Sequence, residues 1–384
     1  MHRILVVHNA YQQKGGEDSV VDSEIALLRA HGHDVLEYRR SNDDLKHMGR
    51  LPAAVQTLWS ARTTAELTRL FEASRPEIMH VHNTFPLISP SLYWAAARAR
   101  VPVVQTLHNY RLLCPQAMLL RDGRICEECI GGLPWQSVRH RCYRGSLAQS
   151  GALAGMLTLH RSLQTYRRKV GRYIALTEFG RQKFIEGGLP AERIRVKPNF
   201  VESPATAPKG PRAGFLFVGR LSAEKGVAVL ADALRMQPAI ALEAVGAGPE
   251  QGLLALLANA RLSGWQQADY IARQMQAARA LVMPSIWYEG FPRTIVEAFA
   301  AGLPVIASRL GAMATAIDDG RTGLLFEAGN AEDLAAKLRW AEDNPQAMTK
   351  MSRAARTEYE AHYTPEKNYD LLMDIYGEAA TAAQ

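Results

Sequence analysis

Long hydrophobic runs are absent from this sequence. No apolar run among its 384 residues reaches the roughly 18 residues that a membrane-spanning helix requires, so the sequence predicts no spanning segment. Residues 4–7 form a strand-like run near the amino terminus, where a secretory signal would place a charged leader, an apolar region and a small-residue cleavage site. We therefore expect a cytoplasmic protein.

Cysteine is also scarce. All four cysteines fall in one segment, and the central two form a Cys-x-x-Cys pair: they are Cys114, Cys126, Cys129 and Cys142. Disulfides are uncommon in the reducing cytoplasm, and clustered thiols are typical ligands of structural zinc. The outer spacings match no common zinc finger, so structural zinc, packed free thiols and a disulfide or redox pair all stay open.

Positive charge outweighs negative charge, with a formal net charge of +7, and part of the excess is locally concentrated. The basic residues of this stretch are Arg139, Arg141, Arg144, Arg161, Arg167, Arg168, Lys169 and Arg172. A helix is predicted over residues 162–171, with aromatic residues nearby. Basic and aromatic residues together are typical of a surface on anionic lipid, although a solvated face has the same composition. No nucleic-acid-binding motif accompanies them, so we expect no nucleic-acid partner.

Strand and helix signals alternate along the chain, which indicates an α/β fold with mostly parallel sheets. The alternation is interrupted by residues 202–212, which are rich in Pro, Ala, Gly and Lys and indicate a linker. We predict two Rossmann-like domains, 1–201 and 213–365, facing each other across a cleft. A carboxyl-terminal helix over about 366–380 is expected to pack back on the first domain.

Two glycine-bearing loops of the second half are candidates for binding phosphate. Gly219 and Arg220 follow a predicted strand, and Lys225 comes just before a helix. A guanidinium fork and a mobile ammonium suit phosphate oxygens, and the amino end of a helix adds backbone donors. Gly246 follows the next strand, where the missing side chain lets a ligand approach the backbone. A solvated basic loop and a plain tight turn are the alternatives.

The most specific pattern places two carboxylates eight positions apart, Glu289 on a strand-to-helix loop and Glu297 within the helix. Both are expected at the same end of the sheet, where a carboxylate can accept hydrogen bonds from vicinal hydroxyls of a sugar or a ribose. A tight loop would also turn backbone N–H groups toward an anion at the helix start. The further candidates for binding such a sugar- and phosphate-bearing ligand are Gly290, Phe291, Arg293 and Thr294. A surface Glu behind a capping loop is the alternative.

Histidines end two predicted strands of the first half. His108 follows a strand. Its ring could hydrogen-bond a sugar or position an acceptor; alternatively, His108 is a core histidine whose hydrogen bonds are satisfied within the protein. His80 and His82 alternate along a neighbouring strand and therefore share a face. A metal pair is conceivable there, but no third ligand is evident, so a structural or cleft-lining role is preferred.

These motifs resemble those of glycosyltransferase family four, which comprises retaining enzymes of the GT-B fold. The resemblance extends over nearly the whole chain and rests on residues 289–297, residues 219–226, residues 174–177 with 197–199, and residues 15–16. It implies that Arg220 and Lys225 neutralise the diphosphate of the donor. It also implies that Glu289 lies beside the transferred sugar and that Glu297 holds the ribose.

On the acceptor side, the resemblance implies roles for Gly15, Gly16 and Asn109, and it favours a catalytic role for His108. The sequence departs from the family after Phe291, where Pro292 stands in place of the usual glycine. Pro292 has no N–H to donate, so an amide cradle would depend on its neighbours.

We accordingly expect a retaining hexosyltransferase that moves a sugar from a nucleotide-diphosphate sugar to a saccharide or lipid-linked saccharide acceptor, in cell-surface polysaccharide or glycolipid synthesis. No cofactor is expected for catalysis, because Arg220, Lys225 and a helix terminus supply positive charge for the leaving diphosphate. Many relatives glycosylate lipid-linked acceptors, so the resemblance favours peripheral attachment to an anionic membrane surface on its inner face.

Three alternatives remain at this stage. An inverting GT-B enzyme or a sugar-nucleotide epimerase would share the two domains. An NAD-dependent oxidoreductase is weakened because residues 9–12 after the first strand contain no Gly-x-Gly-x-x-Gly turn. A zinc-bearing nucleic-acid binder would bind oligonucleotides with steep salt dependence.

Overall fold

The computed structural model describes residues 1–12, 15–203 and 210–382. The chain divides into two compact units. The first comprises Met1–Leu119, Cys126–Pro198 and the segment from Asn368 onward, and the second comprises Leu120–Ile125 and Asn199–Lys367. Residues 204–209 of the predicted linker lie outside the described residues.

The first unit is built on a six-stranded sheet whose strand pairs are all parallel. Its strands are β1 (Arg3–Ala10), β2 (Asp34–Ser41), β3 (Ile78–Asn83), β4 (Val103–Leu107), β7 (Arg172–Ala175) and β8 (Ile194–Val196). Between β4 and β7 the chain also forms a separate antiparallel hairpin, β5 (Leu120–Arg121) and β6 (Arg124–Ile125), which is counted with the second unit. The sheet order is β2-β1-β3-β4-β7-β8. The chain changes direction across the sheet between β1 and β3, where open α/β sheets bind their ligands.

Helices connect these strands, as parallel pairing requires. They are α1 (Gly16–Ala30), α2 (Arg50–Leu58), α3 (Ala61–Ser74), α4 (Leu92–Ala99), α5 (Gln136–Arg139), α6 (Leu147–Ser162), α7 (Thr165–Arg168) and α8 (Glu178–Glu186), with 3₁₀ turns at Asn42–His47, Tyr110–Leu112 and Ala191–Arg193. Val21, Ile25 and Leu28 recur at helical spacing on α1, and all three are buried against the sheet.

The second unit repeats the plan with another six-stranded parallel sheet. Its strands are β9 (Phe215–Val218), β10 (Leu242–Val245), β11 (Ala260–Gly264), β12 (Ala280–Met283), β13 (Val305–Ser308) and β14 (Gly323–Phe326). The order β11-β10-β9-β12-β13-β14 is 3-2-1-4-5-6 when counted within the unit. This is the Rossmann order, with its switch point between β9 and β12.

The remaining helices follow these strands. They are α9 (Val227–Met236), α10 (Gln251–Ala255), α11 (Ala268–Ala277), α12 (Arg293–Ala300), α13 (Gly311–Ala316), α14 (Ala331–Asp343), α15 (Pro345–His362) and α16 (Pro365–Thr381), with a 3₁₀ turn at Ala223–Lys225. Leu372 and Ile375 of α16 join the buried cluster of the first unit. The last helix of the chain therefore completes the core around the first sheet.

The helix predicted over residues 162–171 is wrong. Helix α6 ends at Ser162, and α7 covers only Thr165–Arg168. Gln164 between them has φ 52°, a left-handed conformation that a continuous α-helix does not accommodate. Among the described residues, no helix combines the length and the apolar composition that crossing a bilayer demands.

Candidate active site

The switch point of the second unit brings two predicted loops together. Strands β9 and β12 are hydrogen-bonded neighbours, so the loops that follow them leave the same edge of the sheet. The first loop carries Gly219, Arg220 and Lys225, and the second carries Glu289. The N–H of Ile286 donates to the carbonyl of Glu224 at 3.0 Å, which joins the two loops directly.

Glu289 lies at the centre of this site. Its carboxylate is buried, and its Oε1 atom accepts hydrogen bonds from Ser285 Oγ at 2.7 Å and Trp287 Nε1 at 3.0 Å. Lys225 Nζ lies 2.6 Å from the same oxygen. The two hydrogen-bond donors hold the Glu289 carboxylate in one orientation, and the Lys225 ammonium balances its charge.

Glycine at 226 explains how Lys225 reaches Glu289. Gly226 has φ 71°, and a Cβ at this position would lie 1.9 Å from the carbonyl oxygen of Pro284. The loop can therefore pack directly against the backbone of the neighbouring loop only because residue 226 has no side chain. Arg220 is exposed, and its side chain is open to solvent.

Gly246 is required by the packing of two backbone segments. A Cβ at Gly246 would lie 1.9 Å from the carbonyl oxygen of Gly219. The N–H of Gly219 donates to Val245 at 3.0 Å, so the ends of β9 and β10 run side by side here. Glycine at 246 is therefore needed for this backbone packing, and its contact with a ligand stays a prediction.

Helix α12 presents its amino end at the same edge. Its first residue is Arg293, and Pro292 caps it without a side-chain hydrogen bond to the first turn. Within that turn the N–H of Ile295 donates to the carbonyl of Pro292 at 3.1 Å. The positive end of the helix dipole there favours an anion. Arg293 Nε lies 3.1 Å from Glu297 Oε1, and partial burial raises the pKa of the Glu297 carboxyl. The other predicted contacts in the loop are Gly290, half-buried, Phe291, buried, and Thr294, half-buried.

The predicted acceptor-side residues lie at the switch point of the first unit. Gly15 precedes α1, and its N–H donates to Asp18 Oδ2 at 2.8 Å. Asp18 Oδ1 in turn lies 2.8 Å from His8 Nε2. This carboxylate therefore ties the loop that contains Gly15 and Gly16 to the end of β1.

Glu17 is a candidate that the sequence reasoning missed. Tyr11 Oη donates to Glu17 Oε2 at 3.0 Å, and Asn109 Nδ2 lies 3.4 Å from the same oxygen. Burial is the main reason that the pKa of Glu17 is raised to about 7, so this carboxyl exchanges its proton near neutral pH. Its position directly after the Gly15-Gly16 pair was the signal that could have identified it.

The histidines of β3 and of the loop after β4 form one buried group. His82 Nδ1 lies 2.9 Å from His108 Nε2, and the two rings stack with centroids 5.2 Å apart. His80 Nε2 lies 2.8 Å from Thr106 Oγ1. His80 and His82 are fully enclosed, whereas His108 is half-buried and reaches the surface.

The four cysteines are near one another and form no disulfide. Burial, together with the neighbouring thiols of Cys114, Cys126 and Cys142, raises the pKa of the Cys129 thiol to about 11. The backbone of Ser137, whose N–H donates to the carbonyl of Pro134 at 3.2 Å, opposes that shift. Cys114 is buried, whereas Cys126 and Cys142 are half-buried.

Comparison with known proteins assigns both halves of the chain to glycosyltransferases. Residues 15–199 match the glycosyl transferase 4-like domain, and residues 201–358 match glycosyl transferases group 1. The sulfoquinovosyl transferase of Arabidopsis thaliana is 25% identical over 316 residues, covering 79% of this chain and 56% of the relative. A glycogen synthase of Mycobacterium tuberculosis is 34% identical over 164 residues, covering 39% of each protein. The matches thus span about half or less of these curated relatives.

Solved structures with the same fold align over the whole chain. Sucrose-phosphate synthase from Thermosynechococcus elongatus has a TM-score of 0.74 at 17% identity and covers all of both chains. The Anabaena protein HepE, solved in complex with UDP and glucose, has a TM-score of 0.67 at 18% identity, covering 97% of this chain and 99% of its own. At such low identity these similarities establish the GT-B fold alone.

Proposed function

This chain belongs to the GT4-like glycosyltransferases of the GT-B fold, and from that premise we propose that it is a retaining enzyme that uses a nucleotide-diphosphate sugar. The observation that carries the proposal is the Lys225–Glu289 pair at 2.6 Å, beside the amino end of α12. In this proposal, Lys225 and the amino end of α12 supply positive charge to the leaving diphosphate, and Glu289 supplies negative charge to the anomeric carbon as it becomes positive.

In the proposed reaction, the bond between the anomeric carbon and the diphosphate oxygen breaks first. Arg220, Lys225 and the α12 amino end stabilise the negative charge that grows on the diphosphate. The acceptor hydroxyl attacks from the face that the diphosphate leaves, so the configuration is retained, and the leaving phosphate takes the hydroxyl proton. Glu289 stabilises the positive charge of the sugar, and Glu297 accepts hydrogen bonds from the ribose once Arg293 releases it.

Thermal shift in the presence of sugar nucleotides tests the donor class. HepE is described in complex with UDP-glucose, so UDP-sugars come first in a panel with GDP-, ADP- and TDP-sugars. A ligand at about 100 times its Kd stabilises the folded state by about 2.7 kcal/mol, which raises the melting temperature measurably. We expect a shift with one class of sugar nucleotide, and none with NAD or NADP.

The matched variants are Lys225→Met, which should lose the shift, and Lys46→Met, which should keep it. Lys46 is an exposed residue paired with Asp43 on the first unit, and it is not among the residues assigned to the donor. A shift with NAD or NADP and with no sugar nucleotide would contradict the proposal, and conversion of a UDP-sugar without acceptor would identify an epimerase.

We further propose a saccharide or lipid-linked saccharide acceptor in cell-surface polysaccharide or glycolipid synthesis, with peripheral attachment to an anionic membrane surface. Support comes from apolar side chains exposed close in sequence to the basic residues. Leu133, Trp135, Leu147 and Leu163 are each at least 41% exposed. Exposed apolar and cationic side chains together suit the interface between headgroups and acyl chains.

Structural zinc at the four cysteines is a separate proposal. The regular structure of residues 114–145 is two strands of two residues each and the four-residue helix α5. Several non-glycine residues lie in the left-handed region, namely Ala117, Leu119, Asp122, Arg141 and Arg144. A short segment with so little regular structure usually depends on a metal or a disulfide for its stability. Clustered thiols are typical ligands of structural zinc, and the other three thiols all act on Cys129.

Zinc content and thiol reactivity of the purified protein test this proposal. We expect about one zinc per chain by elemental analysis, and thiols that react with a disulfide reagent only after a chelator removes the metal. The chain has four cysteines in all, so the thiol count reports on this segment alone. Metal-free protein with four readily reactive thiols would contradict the proposal, and Cys129→Ser should lower the bound zinc.

A further inference from the structure

A continuous chain of buried polar groups runs behind His108 in the first unit. Glu24 of α1 lies at its inner end, with Oε1 3.0 Å from His80 Nδ1 and 3.3 Å from His82 Nε2. His82 connects this group to His108, since His82 Nδ1 lies 2.9 Å from His108 Nε2. Glu24, His80 and His82 are buried, whereas His108 reaches the surface.

Lys197 determines the charge state of Glu24. Its ammonium group lies 2.9 Å from Glu24 Oε2 and 2.8 Å from Asn368 Oδ1, and both ends of the pair are buried. Although burial by itself opposes ionisation, the Lys197 ammonium and the hydrogen bonds from the histidines hold the pKa of Glu24 well below its ordinary value. Glu24 is therefore an acceptor of hydrogen bonds with no proton to donate.

The positions of the protons along the chain follow from that charge. His82 Nε2 has the Glu24 carboxylate 3.3 Å away as the acceptor for a proton. Both atoms are buried and neither makes a hydrogen bond of standard geometry in this structure, so this contact is the one that can satisfy His82 Nε2. His82 must then carry its proton on Nε2, which leaves Nδ1 as an acceptor in the neutral ring. His108 Nε2 must donate to that atom, and the lone pair of a neutral His108 is on Nδ1.

We propose that Glu24 and His82 are positioning residues that hold His108 in the tautomer protonated on Nε2, so that Nδ1 is offered as a hydrogen-bond acceptor to the hydroxyl of the sugar or the acceptor. The proposal rests on the role proposed above for His108. It adds that His108 accepts, and does not donate, the hydrogen bond to its ligand. No feature of the linear motif indicates this, because α1, β3 and β4 meet only in the fold.

Burial supports the neutral state of both rings. It lowers the pKa of His82 to about 3 and that of His108 well below its ordinary value. The charged or titratable groups that face His108 are His82, Glu24, His8 and His80, and the histidines among them oppose its protonation. Protonation of His108 would put two N–H groups on its ring, which would remove the acceptor.

A cation at Glu24, His80 and His82 is the competing interpretation, since their ligand atoms lie within 4.8 Å of one another. It fits the contacts less well. The Lys197 ammonium already neutralises Glu24, and the two nitrogens of His80 face Tyr376 Oη and Thr106 Oγ1, each at 2.8 Å. A metal would have to displace these partners.

Nuclear magnetic resonance of protein labelled with ¹⁵N-histidine tests the proposal in the absence of any substrate. Long-range ¹H–¹⁵N spectra distinguish the two ring nitrogens, and His108→Gln assigns the signals by their loss. We expect a protonated Nε2 and an unprotonated Nδ1 on His108 throughout pH 6 to 8, unchanged by EDTA. The opposite tautomer, a mixture of both, or ring signals that move on chelation would overturn it.

Variants of His82 connect the tautomer to turnover. His82→Phe keeps an aromatic ring but removes the acceptor, so we expect a mixed His108 tautomer and a fall in kcat of about 10-fold or more, with donor KM unchanged. His82→Gln returns a carbonyl acceptor and should restore both. The control His140→Phe alters an exposed histidine and should change neither. If the His108 tautomer is fixed but His108→Ala keeps full activity, the chain of hydrogen bonds is upheld. The role proposed for His108 in the reaction would then be rejected.

Discussion

Glu289→Gln is expected to lower kcat for sugar transfer by about 10²- to 10³-fold, the scale of losing one preorganised electrostatic contact to a transition state. Glutamine can still accept hydrogen bonds from Ser285 and Trp287, which reach Glu289 Oε1 at 2.7 and 3.0 Å. The substitution therefore removes the charge and keeps the shape. Steady-state kinetics with the donor identified by thermal shift would measure the effect.

The second carboxylate of the motif is the matched control. Glu297 is proposed to hold the ribose, a contact made equally in the ground state and in the transition state. Glu297→Gln should therefore raise the donor KM with little change in kcat, whereas Glu289→Gln should lower kcat with little change in KM. If Glu289→Gln retained full turnover, or if both variants changed only KM, the proposed catalytic centre would be wrong.

The strands at the centres of the sheets could be predicted because they are short and continuously apolar. Strands β9, β12 and β13 are such runs, buried on both faces and bounded by glycine or proline. Strand β11 was missed because its sequence, Ala-Arg-Leu-Ser-Gly, has the exposed Arg261 in the middle of an edge strand. Charged side chains on an edge strand discourage pairing with another chain. The same charges interrupt the apolar pattern by which a strand is recognised in a sequence.

The long helix α6 was missed for a different reason. Its sequence contains two glycines and several small residues, so neither helix propensity nor a clear apolar stripe marks it. It begins at Ser146, whose side chain accepts from the N–H of Gln149, and this cap was the available signal. Its position is set by packing against other helices of the first unit, which a sequence window does not contain.

The motif loops were predictable, but their contacts were not. The spacing of Glu289 and Glu297 placed both near a helix start, as the structure has them. The sequence could not show that Lys225 pairs with Glu289, since 64 positions separate them. Nor could it show that Glu24 pairs with Lys197, which is 173 positions away. The first pair depends on β9 and β12 being neighbours in a sheet, and the second depends on α1 meeting the segment after β8 in the fold.

The Glu24–Lys197 pair predicts the largest change in stability. Lys197→Met is expected to lower the free energy of unfolding by about 3–5 kcal/mol at pH 8, because removing one member of a buried ion pair leaves the other charge uncompensated. Both side chains are at most 3% exposed, so solvent does little to screen the remaining carboxylate. Denaturant unfolding at fixed pH would measure the loss.

The pH dependence of that loss has a definite sign. In the wild-type protein the pKa of Glu24 is held low, so the pair contributes its stability above the ordinary glutamate pKa and loses it as the pH falls through the lowered value. Without Lys197, only the histidines oppose the effect of burial, so the pKa of Glu24 rises above its value in the wild-type protein and protonation relieves more of the penalty. The difference in stability between wild type and Lys197→Met should therefore be smaller at pH 5 than at pH 8.

Two further variants separate the charge effect from the loss of packing. Glu24→Gln combined with Lys197→Met removes both charges and should recover much of the stability that the single change loses, since a neutral buried pair costs less than a lone charge. Lys46→Met, at an exposed pair, should cost at most about 1 kcal/mol. The contrary result is a loss in Lys197→Met that is equal at both pH values and that Glu24→Gln does not recover. Such a loss would come from the packing of the lysine stem. The proposed balance between the Lys197 and Glu24 charges would then be wrong.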